Sequence, residues 1–183
     1  MTTMAMEPVE SLYSRLAAAG RSSEIPESAD AYGQLIGSWE LQVLRYKAVD
    51  VSAQGIRGEV HFAWVLEGRA VQDVWIMPRC SERTVWTGET NNMYGTTLRV
   101  WDRATQAWLI TWINPVTGHR EQQVARRIEN DIVQVGARVD GTPTRWRFTE
   151  ITSDSFHWKG ESLGPDGQTW KLEGEFRARR TKR

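Results

Sequence analysis

Two hydrophobic periods divide the chain. Over residues 7–19, EPVESLYSRLAAA, the apolar Val9, Leu12, Tyr13 and Leu16 fall three or four apart, with Pro8 near the start and Gly20 just past the end. That spacing predicts one amphipathic α-helix. Residues 20–30, GRSSEIPESAD, are polar and read as a linker, followed by a short helical turn over Ala29 to Leu35. From Ile36 onward apolar residues recur at every second position, the period of a strand. Strands are predicted over 36–47, 56–66, 69–77, 93–101, 106–113, 119–128, 131–139, 144–151, 155–163 and 168–179. The breaks between them carry turn formers, as in Asp102-Arg103-Ala104-Thr105, Glu129-Asn130-Asp131, Asp140-Gly141-Thr142-Pro143 and Gly164-Pro165-Asp166-Gly167. Residues 78–92 form the only long connection.

About ten consecutive strands with short hairpins describe an antiparallel meander, and closing it removes two exposed edges. The expected fold is therefore all-β: an up-and-down barrel of about ten strands with an N-terminal helix. Residues 1–32 form the helix and linker, 33–180 the barrel and 181–183 a basic tail. A barrel of that strand number has an interior wide enough for one small ligand.

Alternation assigns the two faces. Trp170, Leu172, Gly174, Phe176 and Ala178 alternate with charged residues and are placed inside, as are Phe156, Trp158 and Gly160, and Trp146 and Phe148. Val60, Phe62, Trp64 and Leu66 share a face, and so do Trp108, Ile110, Trp112 and Asn114. The stretch LEGRAVQDVWIMP, residues 66–78, is less regular: with the strand starting at Arg69, an acid and a base share a face with Val71, Trp75 and Met77. Val74 and Ile76 then lie on the outer side, where a second copy of the chain would cover them, so a homodimer is an expectation.

Composition changes the picture in one respect. Ten tryptophans exceed the four tyrosines and four phenylalanines together, which suits a cavity that is apolar yet able to donate hydrogen bonds. Lys plus Arg and Asp plus Glu both number 23, so charge gives no reason to expect nucleic acid or a membrane surface as partner. The single cysteine, Cys80, excludes an intramolecular disulfide and fits a reducing compartment. No apolar run is long enough to span a bilayer and MTTMAMEPVE has no signal-like apolar core, so a cytoplasmic location is expected.

Particular stretches carry a resemblance. Gly37-Ser38-Trp39 at the head of the first strand, the ten-strand meander and the Arg-rich end resemble the calycin pattern of lipocalins, fatty-acid-binding proteins and nitrobindins. WVLEGRAVQDVW (64–75), YGTTLRVWDRATQAWLITWINP (94–115) and DSFHWKGESLGPDGQTWKL (154–172) are similar to bacterial lipocalin-like domains of uncharacterised function. The resemblance implies a calycin-like barrel with an internal ligand cavity. It also implies that Trp39 packs across the barrel floor against an Arg of the last strand, Arg177 or Arg179. Nitrobindins hold haem through a histidine; here ELQVLRY follows Trp39 in place of their glycine-rich run, and His157 falls on an outward register, so no cofactor is expected.

No local catalytic signature or metal-ligand spacing occurs. Polar residues among apolar ones are the remaining candidates. Asp73, beside Trp75, and Glu150, in register with Trp146 and Phe148, are candidates for proton transfer; Arg69 and Arg126 would orient a ligand oxygen. Trp64, Trp75, Trp112, Asn114, Trp146, Phe148 and Trp158 complete the expected ligand-binding set. The alternative for the charges is that they neutralise one another as buried salt bridges. Three functions follow. The first is binding of a small hydrophobic, aromatic molecule; the second is a cofactor-free isomerase, cyclase or hydratase-type enzyme; the third is a dimeric interaction protein with a packed barrel. His119, in the turn after Asn114, lies at a barrel rim within reach of a ligand.

Overall fold

The strand period over residues 37–180 is realised as eleven strands in the computed structural model, which describes residues 7–84, 87–88 and 90–181, with backbone alone for 7–11. In chain order they are β1 (Gly37–Tyr46), β2 (Val49–Asp50), β3 (Arg57–Val65), β4 (Ala70–Met77), β5 (Met93–Asp102), β6 (Ala107–Asn114), β7 (His119–Ile128), β8 (Asp131–Ala137), β9 (Pro143–Thr149), β10 (Ser155–Leu163) and β11 (Trp170–Arg180). Every neighbouring pair is antiparallel, and β11 returns to pair with β1, so ten strands close into a barrel. The two-residue β2 pairs with the end of β1 alone. The all-β up-and-down expectation holds, each of the ten predicted strands falling within a few residues of its place.

The hairpins turn where short polar side chains can replace strand hydrogen bonds. Asp102 accepts from the backbone N–H groups of Ala104 and Thr105, Asp140 from Thr142, and Asp166 from Gln168 and Thr169. The Thr169 hydroxyl and these N–H groups hold the Asp166 carboxyl well below the ordinary range, at about 2. The turn therefore gains stability above the ordinary aspartate pKa and loses it as the pH falls toward 2.

The helix, Glu7–Leu16, stops three residues short of the expected end because the chain then runs extended along β3. Leu66 N–H donates to Leu16 O, and Ala18 N–H donates to Trp64 O. Leu12 and Tyr13 remain exposed. The helix thus lies at the end of the barrel where β3 finishes. No helix among the described residues is long and apolar enough to cross a membrane.

That same end is plugged. Residues 25–36 pass through two short 3-10 turns, Glu27–Ala29 and Gly33–Leu35, and bury Ile25, Ala31, Tyr32 and Leu35 under the strands. Trp108 Nε1 donates to Ala29 O, and Trp39 Nε1 donates to Leu35 O. Trp39 is stacked by Arg180, whose guanidinium carbon lies 4.0 Å from the ring centre. The cation is therefore neither Arg177 nor Arg179. Trp39 pairs with Arg180 in the closing register, and Arg180 shares the inward parity of Phe176 and Ala178, whereas its odd-numbered neighbours face out. Arg180 also donates to the carbonyls of Ile36, Gln34 and Ser153. Gly37, at φ +126°, leaves room for it: a Cβ there would stand 2.7 Å from Arg180 Nη1.

Above the plug, Trp39, Phe62, Phe148 and Phe156 meet edge-on and at a tilt, with ring centres 4.9 to 6.2 Å apart. Three inward assignments change, Trp170 and Leu172 near the other end and Leu66 at the plugged one. A β-bulge between Gly160 and Glu161 shifts the pairing of β10 with β11. It reverses the parity of β11, so Trp170 turns outward, 4.3 Å from the Arg145 guanidinium, and Glu173 enters the interior. Leu66 sits exposed in the β3–β4 turn.

Candidate functional site

With one end plugged, the interior stays open at the other, between the β1–β2, β6–β7 and β8–β9 turns. The resulting cavity measures about 720 Å³. Four indoles form its wall in sequence around the barrel. Trp112 meets Trp146 at 85° and 6.2 Å, Trp146 meets Trp158 at 5.7 Å, and Trp158 meets Trp75 at 5.6 Å. Met93 and Phe176 complete the apolar lining. Close backbone approach makes the wall possible: a Cβ on Gly95 would stand 2.4 Å from Trp112 Cη2, and one on Gly160 2.6 Å from Trp158 Cη2.

At the inner end of the cavity lies a buried ion pair. Asp73 (1% exposed) and Arg99 (2%) face each other from β4 and β5, with Asp73 Oδ2 2.7 Å from Arg99 Nη1. Asp73 also accepts from Trp75 Nε1 at 2.8 Å and from the Thr97 N–H at 2.8 Å. The guanidinium is ringed by Tyr32 at 4.9 Å, Phe62 at 5.5 Å and Phe148 at 5.9 Å. Burial pushes the Tyr32 phenol above its ordinary range, and the Arg99 charge opposes that shift.

A hydrogen-bonded chain runs along the wall from this floor toward the mouth. Tyr32 Oη donates to Gln134 Oε1 at 3.1 Å, Gln134 Nε2 to Gln123 Oε1 at 3.0 Å, and Gln123 Nε2 to Glu121 Oε1 at 2.8 Å. The Thr144 hydroxyl also donates to Glu121 Oε1. Glu121 lines the cavity, and its buried Oε2 makes no hydrogen bond among the described residues. The nearest ring nitrogen, His119 Nε2, lies 3.2 Å from it. A buried carboxylate oxygen without a donor is costly unless one is supplied.

The residues singled out from the sequence divide. Trp75, Trp112, Asn114, Trp146 and Trp158 line the cavity; Asn114 also accepts from the Val116 N–H in the rim turn. Trp64 and Phe148 point inward but belong to the packed closed half. Asp73 is buried as half of a salt bridge with Arg99, and its two oxygens also accept from the Trp75 indole and the Thr97 backbone N–H. Arg69, expected toward the lumen, instead lies outside. Leu66, Glu67 and Gly68 all have positive φ, so the turn ends after Arg69, which pairs with Glu24 and Glu67 in the open.

Arg126 is likewise exposed, because Val124, Arg126 and Ile128 share the outward parity of β7, and its guanidinium donates to Thr105 O. Glu150 lies past the end of β9 with φ +52°, breaking the register that linked it to Trp146. It pairs with His157 on the outer surface, and that hydrogen bond, then the His157 charge, holds its carboxyl below the ordinary range. A carboxyl so shifted is less apt as a base near neutral pH.

His157 faces outward as its register implies, but it is buried, bracketed by Glu150 at 3.3 Å and Glu175 at 2.8 Å. Ile76 is covered within the chain and Val74 only partly exposed, so the outer side of β4 offers little to a second copy. On β5 to β8 the exposed Val100, Leu109 and Val135 and the half-buried Val124 are successive cross-strand partners. Among the described residues no group of three or more His, Cys, Asp and Glu side chains is arranged to hold a metal ion.

Arg99, Glu121, Gln123 and Gln134 were not among the residues expected from sequence. The available signal was parity alone: Arg99 is two positions from Thr97, and Glu121 lies opposite Trp112. Compared with protein-family models and with curated proteins, the chain matches none of either.

Proposed function

We propose that this chain is a binding barrel of the calycin kind, which holds one small apolar molecule with an aromatic or similarly compact body in the open half of its interior. The observation that carries this reading is a cavity of about 720 Å³ walled by four contiguous indoles, in a barrel whose other half is filled. That volume lies in the range of small-molecule pockets, which are mostly apolar with a few fixed polar groups. Side chains of ordinary size would have closed the space had the barrel needed only a core, as they do at the plugged end.

A neutral fluorescent probe of suitable size tests this. N-phenyl-1-naphthylamine should brighten on mixing, quench the tryptophan emission by energy transfer and saturate at one equivalent per chain. Weak, non-saturating partition would sink the reading.

A second reading, acid–base catalysis on the same class of molecule, is favoured by one feature. Glu121 lines the cavity and has a hydrogen-bond-free oxygen beside His119, whereas Asp73 is engaged and Glu150 lies outside. On that reading the proton-transfer group is Glu121.

A further inference from the structure

The polar groups of the cavity do not balance one another equally. Asp73 answers Arg99 at the floor, and Glu173 answers Arg138 at the mouth. Glu121 is met by no Lys or Arg among the described residues, only by the His119 imidazole, 3.2 Å from Oε2. Its side chain is 1% exposed, Oε1 is filled by Gln123 and Thr144, and Oε2 is left without a donor. His119 is the only basic side chain within ion-pair distance among the described residues, on a ring that carries charge only when protonated. Lys47 and Arg120 also line the mouth, but neither forms an ion pair with Glu121. The cavity lining therefore holds one buried carboxylate whose nearest cation is an imidazole at the rim.

The surroundings of that oxygen have a definite chemistry. Trp112 is the cross-strand partner of Glu121, and Thr144, which bonds its other oxygen, is two residues from Trp146 on the same face of β9. Trp112 and Trp146 stand at 85° to each other, so the carboxylate adjoins a corner made of two indoles. Indole faces attract cations through the ring quadrupole, and the effect grows when water is excluded. A carboxylate flanked by perpendicular indoles thus favours an ammonium group over a neutral or an anionic one.

We infer that the ligand is an organic amine: its ammonium group donates to Glu121 Oε2 at the Trp112–Trp146 corner, while its apolar body lies along Trp158 and Trp75. This rests on the ligand-binding reading above and adds the charge of the ligand to it. An anionic ligand would be repelled by Glu121, and Arg99 does not compensate because Asp73 already neutralises it.

Three probes of nearly equal shape separate the outcomes: phenethylammonium, its neutral counterpart propylbenzene, and the anion 3-phenylpropanoate, each titrated against tryptophan emission. The wild-type chain should bind phenethylammonium roughly tenfold or more tighter than propylbenzene, the scale of one charge-assisted hydrogen bond, and the anion weakest. Glu121→Gln should cut that preference to about twofold or less and leave propylbenzene affinity unchanged, which also reports that the barrel is intact. The inference is overturned, with ligand binding itself intact, if propylbenzene or the anion binds as well as the amine. It is equally overturned if the preference for the amine survives in Glu121→Gln. Should that variant fail to fold, seen as loss of propylbenzene binding too, the wild-type ranking decides alone. Saturable binding of none of the three contradicts both this inference and the reading it rests on.

Discussion

Asp73→Ala should destabilise the barrel by about 3–5 kcal/mol, because it leaves Arg99 as an uncompensated charge inside the protein. The pair is deep: both side chains are at most 2% exposed, and the guanidinium is enclosed by Tyr32, Phe62 and Phe148. Removing the acid also frees the Trp75 indole N–H and the Thr97 backbone N–H, each of which loses its acceptor. For a chain of this length the loss corresponds to a fall in Tm on the order of 10 °C. The double variant Asp73→Leu with Arg99→Met should regain most of it, since an apolar pair of similar volume is often as stable as the ion pair it replaces. Thermal unfolding of wild type, both single variants and the double variant measures the coupling. If Asp73→Ala unfolds within 1 kcal/mol of wild type, Asp73 is not a structural ion-pair partner.

Trp39→Ala is the second large effect, about 3–5 kcal/mol, the usual range for truncating a fully buried aromatic ring. Three contacts are lost together: the T-shaped contact with Phe156, the hydrogen bond to Leu35 O and the face on which Arg180 stacks. Trp39→Phe keeps most of the buried area but not the indole donor, so it should cost less, with about 1–2 kcal/mol remaining for Leu35 O left unpaired. Urea unfolding gives both values. The plug is remote from the open half, so the affinity of either variant for N-phenyl-1-naphthylamine should match wild type as long as the variant is folded. A large loss of affinity in folded Trp39→Phe would mean that the two halves of the barrel are not separate in function.

Where apolar residues recur at strict intervals of two, faces could be read directly from the sequence, as for Val60, Phe62 and Trp64 or Trp108, Ile110 and Trp112. Parity is only as good as its starting point. Arg69 follows a run of three positive-φ residues and Glu150 has a positive φ of its own, so neither keeps the register of the strand beside it. Trp170 was lost to a bulge that no local pattern announces. The Arg of the floor was off by one or more positions because the last strand ends in several cations, and only the closing register with β1 selects Arg180.

The wall of the site was hidden for a different reason. HREQQVARRI, β7, is polar on both faces, so hydrophobic alternation has nothing to act on there. Its inward residues Glu121 and Gln123 are recognisable only once Trp112 and Ile110 are known to lie opposite them. Gln134 and Arg99 share that fate: each looks like an ordinary surface residue until its partner across the barrel is in place. Buried polar networks join residues far apart in sequence, here Tyr32 to Gln134, and such pairings are set by closure of the sheet rather than by local spacing.

The central claim is that the open half of the barrel receives an apolar guest. Intermolecular nuclear Overhauser effects between propylbenzene and the labelled protein test it most directly. The account predicts cross-peaks from the ligand's ring and methyl protons to the indole protons of Trp112, Trp146 and Trp158, at one ligand per chain. Cross-peaks confined to outer-face residues such as Leu109 and Val135, or none at all at saturating ligand, would contradict it.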